Sequence, residues 1–336
     1  MRRYARRLFV APSRRVEAPT ASFEVRTPWK RERIRRIGAA FLQGYNAFVR
    51  AEDPEEIHPA LADLRRFYRP FAYEGAAMGF GPWSWIHGRG YDQFEHIFRA
   101  LSPETLYQNY VGLGWWLGLR FGGRAEPIAQ VAGALDYRYR LIVYEGLGFR
   151  HGFLRHRRAR PERAFRRFAP DARHVCYQGY GRSLWFVYMD ALDHAFAKIA
   201  RLDPAYHGDC SSGIGLGVAY SLLDRIESVA GIAACVPERW RADFLQGAAF
   251  GWEARSRADR KLFDFHAARL PAHERAQVEA CLRAVHDARA QLEEEGHDES
   301  FYEAWRRRTR AALLHVPETG NVDRAAPGAA SYARSA

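Results

Sequence analysis

Six polar residues share one local setting, each standing immediately before a glycine: Gln43, Glu74, Glu145, Gln178, Ser212 and Gln246. In a seventh copy Val111 takes the polar place. If the elements that carry them are equivalent, these side chains project into one shared space. Two carboxyls among amides in an apolar cavity have raised pKa values and can move protons. Glu74 and Glu145 are therefore the candidate catalytic acid/base groups. The other chemistry open to such a column is hydrogen bonding between neighbouring helices, which would hold their register. Arg182 follows Gly179-Tyr180-Gly181 and precedes Ser183-Leu184-Trp185-Phe186. An arginine in apolar company either pairs with an acid, here Glu145 or Glu74, or clamps a substrate carboxylate or phosphate. The candidate substrate-binding set is Gln43, Gln178, Arg182, Ser212, Gln246 and Trp185. The tryptophans (Trp83, Trp85, Trp115, Trp116, Trp185 and Trp252) suit a core or a pocket for a planar, unsaturated ligand.

The elements that must position these groups recur. The glycines after the polar column are Gly44, Gly75, Gly112, Gly146, Gly179, Gly213 and Gly247, at spacings of 31, 37, 34, 33, 34 and 34 residues. A second glycine follows two residues later in four copies, at Gly114, Gly148, Gly181 and Gly215. Gly79, Ser183, Gly217 and Gly251 keep a third position small. Pro103, Pro170 and Pro204 stand nine residues before their glycines and Pro237 ten before its own. Proline is favoured in the first turn of a helix, and Ser102 and Asp203 are plausible caps before it. Each unit thus opens a helix at proline and carries its glycines near mid-helix. Pro271, nine residues before Ala280, suggests a degenerate eighth unit with Glu279 in the polar column. Shorter amphipathic segments lie between, such as Ile57, Leu61, Leu64 and Phe67 on one helical face.

A helix-interior glycine costs about 0.8–1 kcal/mol relative to alanine, so eleven cost on the order of 10 kcal/mol. Close packing of helix backbones, alone or together with a ligand against the bare wall, must offset that. The expected fold is all-α: seven to eight helical-hairpin repeats of about 34 residues forming a superhelix or a closed α/α toroid. The expected organisation is a basic arm over 1–35, the repeats over 36–265, capping helices over 266–316 and a disordered tail over 317–336.

The chain has 336 residues and a formal net charge of +12, nearly all of it arginine. The densest run, Arg155 to Arg167, is either a solvated face or an anion-binding patch. No zinc finger, RNP-type strand or basic region with heptads accompanies it, so no nucleic-acid partner is expected. Cys176, Cys210, Cys235 and Cys281 have neither zinc-site nor disulfide-framework spacing. The motifs of phosphate-binding loops, nucleophile elbows, metalloprotease helices and EF-hands are missing, so neither a metal nor a cofactor is expected. GIGLGV over 213–218 follows no strand and does not make a dinucleotide site. His87, His151 and His207 are expected to be structural or surface groups. No apolar run reaches the roughly 18 residues of a membrane span, and the start has no signal-peptide pattern. A cytoplasmic location is expected.

The stretches FLQGYNAF (41–48), FAYEGAAM (71–78), YEGLGFRHGF (144–153), YQGYGRSLWFV (177–187) and SSGIGLGVAY (211–220) resemble a bacterial family, domain of unknown function 1702. The likeness covers roughly residues 5–265. The family commonly has a histidine-containing segment where Tyr107-Gln108-Asn109-Tyr110 stands, and a histidine where Arg150 stands. Its members occur in gene clusters for enediyne polyketide antibiotics. The resemblance implies a role in bacterial specialised metabolism, on or beside a polyene-derived intermediate. Two functions follow as expectations. One is a cofactor-independent cyclase or isomerase enclosing a hydrophobic polyketide intermediate, with Glu74 and Glu145 as acid/base and Arg182 as an anion clamp. The other is a non-catalytic helical scaffold that binds a protein partner from the same pathway or carries a lipophilic molecule.

Overall fold

The computed structural model describes residues 2–314. Among them are eighteen α-helices, five short 3-10 turns and no strand, so the protein is all-α. The tail expected over 317–336 lies outside the described residues. Seven helices carry the glycine motif: α1 (Pro28–Arg50), α2 (Arg69–His87), α3 (Leu106–Phe121), α4 (Ile142–Arg155), α5 (Pro170–Val187), α6 (His207–Ser221) and α7 (Glu238–Ala258). In α3 every residue from Leu106 to Gly118 is buried. A helix that is apolar all round has this fate, because no face of it prefers water.

Proline starts these helices by two routes. Pro170 stands in the first turn of α5. Pro103 and Pro204 each open a 3-10 turn that runs into α3 or α6. Of the two expected caps only Asp203 works, its carboxylate accepting the Ala205 N–H at 3.0 Å. The Ser102 hydroxyl instead accepts from Asn109 Nδ2 at 3.0 Å.

The glycines meet backbone, and they do so reciprocally. A Cβ on Gly146 of α4 would lie 2.1 Å from the Val111 carbonyl oxygen of α3, and one on Gly114 of α3 would lie 2.0 Å from that of Val143. The same clasp joins α4 to α5, with Gly179 at 1.9 Å from the Glu145 oxygen and Gly148 at 1.8 Å from the Cys176 oxygen. It joins α5 to α6 through Gly213 and Gly181, and α6 to α7 through Gly247 and Gly215. The first glycine of a helix meets the carbonyl of the polar-column residue before it. The second meets the carbonyl three residues ahead of the next helix's first glycine. No side chain fits in either place.

That rule corrects the register of α1. Gly44 lies against the Ala72 carbonyl, three residues ahead of Gly75, so it is a second glycine and not a first. Gly75 in turn meets the carbonyl of Phe41. Phe41 therefore holds the column position in α1. Gln43, expected there, is exposed and donates to the Ala60 carbonyl at 2.8 Å. A copy with a single glycine gives no way to tell which of the two places it fills.

Hydrogen bonds also link the last helices of the series to the first. Arg255 of α7 donates to the Phe67 carbonyl just ahead of α2 at 2.9 Å, and Arg66 Nε donates to Asp259 Oδ2 at 2.7 Å. Arg33 of α1 binds Asp224 Oδ1 at 2.8 Å and the Ser221 carbonyl at 3.0 Å, at the end of α6. Beyond α7, α8 (Ala272–Glu294) and α9 (Phe301–Leu313) follow. Glu279, expected in the column of an eighth unit, is exposed on α8. With alanine at 280, α8 has no bare backbone there to press against α7. The first 35 residues hold two short helices, Arg2–Phe9 and Arg14–Thr20, and the start of α1. Phe9 packs edge-on against Trp85 and Trp116, and Asn46 hydrogen-bonds both backbone groups of Ala11. No helix among the described residues is long and apolar enough to cross a membrane.

The clasp predicts a sharp contrast between glycines. Gly179→Ala must push α4 and α5 apart and should cost about 3 kcal/mol or more in urea unfolding. Gly133 lies in a helix, and a methyl group added there would meet nothing within 4 Å, so Gly133→Ala should be neutral or stabilising by up to about 1 kcal/mol. Equal effects of the two substitutions would refute the clasp.

Candidate functional site

Three of the predicted residues meet at one point. Arg182 of α5 lies between Glu145 of α4 and Glu74 of α2. Its Nη2 donates to Glu145 Oε2 at 3.0 Å and to Glu74 Oε1 at 3.5 Å. Its Nε stands 2.7 Å from Glu145 Oε1 at an angle unsuited to a hydrogen bond, leaving that oxygen without a donor. The guanidinium also stacks on the Phe149 ring at 4.2 Å. All three side chains are almost wholly shielded, at 4, 1 and 5% exposure for Glu74, Glu145 and Arg182. The column places the acids, since each stands just before a clasp glycine and its carbonyl receives the next helix.

One guanidinium cannot neutralise two carboxylates. Burial pushes the Glu145 carboxyl up to about 7, with Arg182 opposing and Glu74 adding to the rise. Burial also raises Glu74, again against Arg182. Burial alone would lower the Arg182 pKa, but the two acids together raise it and keep it charged. Both acids are thus pushed toward protonation, and any proton the cluster holds belongs to the carboxyl pair and not to Arg182.

Two small apolar cavities flank the cluster. One, of about 90 Å³, touches Glu74 and Arg182 and is walled by Phe41, Phe71, Trp115 and Phe149. It reaches the half-exposed Ile37 of α1 and the exposed Leu154 of α4. The other, of about 40 Å³, touches Glu145 and Arg182 and is walled by Val111, Tyr220, Tyr302 and Trp305. Here Gln108 presents a buried Oε1 with no hydrogen-bond donor.

The remaining column residues pair with each other. Gln178 Nε2 donates to Ser212 Oγ at 3.2 Å, and Ser212 Oγ donates to Gln246 Oε1 at 2.7 Å. Tyr302 of α9 completes the chain by donating to Gln178 Oε1 at 3.1 Å. None of the three lines either cavity. Trp185 is buried, donates to Ser221 Oγ at 2.8 Å and fills the space beside Gly217. Gln43 lies outside the interior altogether.

Phe41, Gln108, Tyr220, Tyr302 and Trp305 also line the site, outside the residues expected from the sequence. Phe41 was hidden by the register of α1. Tyr302 and Trp305 come from α9, beyond the periodic region, where no beat marks them. A third group, His174, Asp209 and Glu303, brings potential metal-ligand atoms within 4.8 Å of each other. Arg306 already lies among them, donating to Asp209 at 2.8 Å and to Glu303 at 2.5 Å. That guanidinium takes up the charge a cation would need.

A family model described as protein of unknown function, DUF1702, matches residues 1–313. The chain belongs to the DUF1702 family. No curated protein and no solved structure matches it. The family model also takes in Tyr302 and Trp305, so the α9 wall of the smaller cavity lies within the family's span.

The raised Glu145 carboxyl fixes a direction in pH. An acid whose pKa rises on folding stabilises the folded state below its unfolded value of 4.5, and that stability is lost as pH climbs through about 7. Wild type should therefore lose on the order of 2 kcal/mol of unfolding free energy between about pH 5 and 7 relative to Glu145→Gln. Urea titrations of both proteins across that window would show it. Parallel curves would mean the cluster carries no extra proton.

Proposed function

We propose that this protein encloses an apolar, unsaturated carbon chain and shifts a proton on it, as a cofactor-independent isomerase or cyclase. The observation that supports this is the buried cluster of Glu74, Glu145 and Arg182, two acids on one guanidinium, shut away from water between two apolar cavities. An acid with a pKa near neutrality both gives and takes protons readily. Glu74 borders the larger cavity and is the group that meets the ligand there. Glu145, on the far side of Arg182, sets how much of the shared proton Glu74 carries. Aromatic walls suit a planar, conjugated segment. At about 90 Å³ the cavity takes a few carbon atoms. The reacting segment lies inside, and the rest of the chain passes out between Ile37 and Leu154.

We further infer that the glycine-clasped helices are helical-hairpin repeats closed into an α/α ring. The return contacts of Arg33, Arg66 and Arg255 support closure. A ring keeps its interior dry without a separate lid. The fitting substrate class is a polyene or polyketide-derived intermediate of bacterial specialised metabolism, which is the setting the family resemblance suggests.

The test is mass spectrometry and ultraviolet absorption of small molecules extracted from the purified protein. Wild type and Glu74→Gln should release molecules of one mass that differ in double-bond position, with melting temperatures within a few degrees of each other. Arg182→Ala should lose the ligand. An identical molecule from wild type and Glu74→Gln would make the protein a carrier. Absence of any small molecule from all three would remove the enclosed-ligand reading.

A further inference from the structure

The arginine run that the interior leaves unused surrounds a surface hollow of about 690 Å³. It lies on the opposite face of α4 from the cluster. Glu145, Phe149 and Phe153, four residues apart, face inward. Leu147, Arg150 and His151 face the hollow. Seven arginines between Arg150 and Arg167 line it, together with His151, and no carboxylate does.

These arginines differ from those that tie the helices of the interior and the chain ends together. Arg33, Arg138, Arg182, Arg306 and Arg310 all have carboxylate partners. Among the described residues, none of the seven has a side-chain ion pair or hydrogen bond. The only acid in the stretch, Glu162, is exposed and does not line the hollow. The resulting field acts on the two half-buried groups at its base. Burial and the Arg155 charge lower the Arg150 pKa. Burial, Arg155 and Arg150 hold the His151 imidazole down to about 4. His151 is thus neutral, and its Nε2 accepts the Arg160 N–H at 3.3 Å.

Some of this charge answers the carbonyl ends of α3 and α4, where cations are favoured. Seven guanidiniums exceed what two helix ends need. The shape separates the remaining partners. A membrane or a nucleic acid engages an extended basic face. A walled hollow of this volume is of the size that takes a small molecule. Leu119, Leu147, Phe165 and Phe168 give it an apolar side. Guanidiniums recognise phosphate oxygens in pairs, and a chain of phosphates concentrates enough charge for several of them.

We propose that this hollow is a binding site for a small organic di- or triphosphate. Arg150 anchors the phosphates at the base, the exposed arginines close over them, and the apolar side takes the organic part. The site is separate from the buried cluster, and its test does not depend on the chemistry proposed there.

Titration calorimetry of the full chain with inorganic tripolyphosphate, pyrophosphate and orthophosphate, at a fixed salt near physiological, tests the proposal. Tripolyphosphate should bind at least tenfold more tightly than orthophosphate and raise the melting temperature of wild type. Arg150→Gln should weaken tripolyphosphate at least tenfold, and Arg163→Ser/Arg166→Ser should do likewise. Without ligand, Arg150→Gln should melt no lower than wild type, because it removes an uncompensated charge. Arg275→Gln, on the exposed face of α8, should bind as wild type does. The site is refuted if tripolyphosphate does not bind at millimolar concentration, or if Arg275→Gln weakens it as much as Arg150→Gln. It is also refuted if the protein sediments with phosphatidylserine vesicles and tripolyphosphate does not displace it, since a membrane would then be the partner.

Discussion

Backbone touching backbone is the constraint on which this molecule rests. At each step from α1 to α7 a carbonyl oxygen occupies the place where a side chain would begin. Such contact is available only to glycine, and glycine weakens a helix. The helices are therefore interdependent: each is a poor helix alone and becomes a stable one when its neighbour covers the bare stripe. This explains why long helices hydrophobic on every side can exist in a chain with no membrane-spanning helix among its described residues.

The clasp also decides where charge can sit. The carbonyl that meets the next helix's first glycine belongs to the polar-column residue, so the column side chain leaves the contact at a fixed angle toward the interior. Three of these side chains, Gln178, Ser212 and Gln246, satisfy one another in a row. Glu74 stands between Phe41 and Val111 in the series, and Gln178, the column neighbour of Glu145, is already taken by Ser212 and Tyr302. Glu74 and Glu145 are drawn instead to Arg182, which enters from α5 between them. Two acids then share one guanidinium, and burial raises the pKa of both.

Much of this was legible in the sequence, for a physical reason. A contact made by missing side chains leaves a mark that does not depend on what lies opposite, so the glycine beat announced both the helices and their packing. The acids and Arg182 were legible through the same beat. What escaped lay outside it. Gln43 was placed in the interior because a lone glycine fits either place of the clasp, and only Ala72 and Phe41 across the contact tell them apart. Glu279 was placed there from a proline spacing with no glycine behind it. Tyr302 and Trp305 reach the interior from α9, whose docking depends on long-range shape rather than on local pattern.

The two faces of α4 show how one helix serves two kinds of electrostatics. Inward, Glu145 lies in a dry space where a single uncompensated charge is costly, and burial raises its carboxyl pKa. Outward, Arg150 and its neighbours lie in a wet hollow where water screens their repulsion, so the charges persist without acids. Arg150 and His151, half-withdrawn at the base, register the strain in their lowered pKa values. Moving the outward arginines a turn inward would leave them unpaired in the apolar interior, and moving Glu145 outward would let water release its proton. The spacing of α4, with inward residues four apart and outward residues between them, keeps these regimes separated by one layer of side chains.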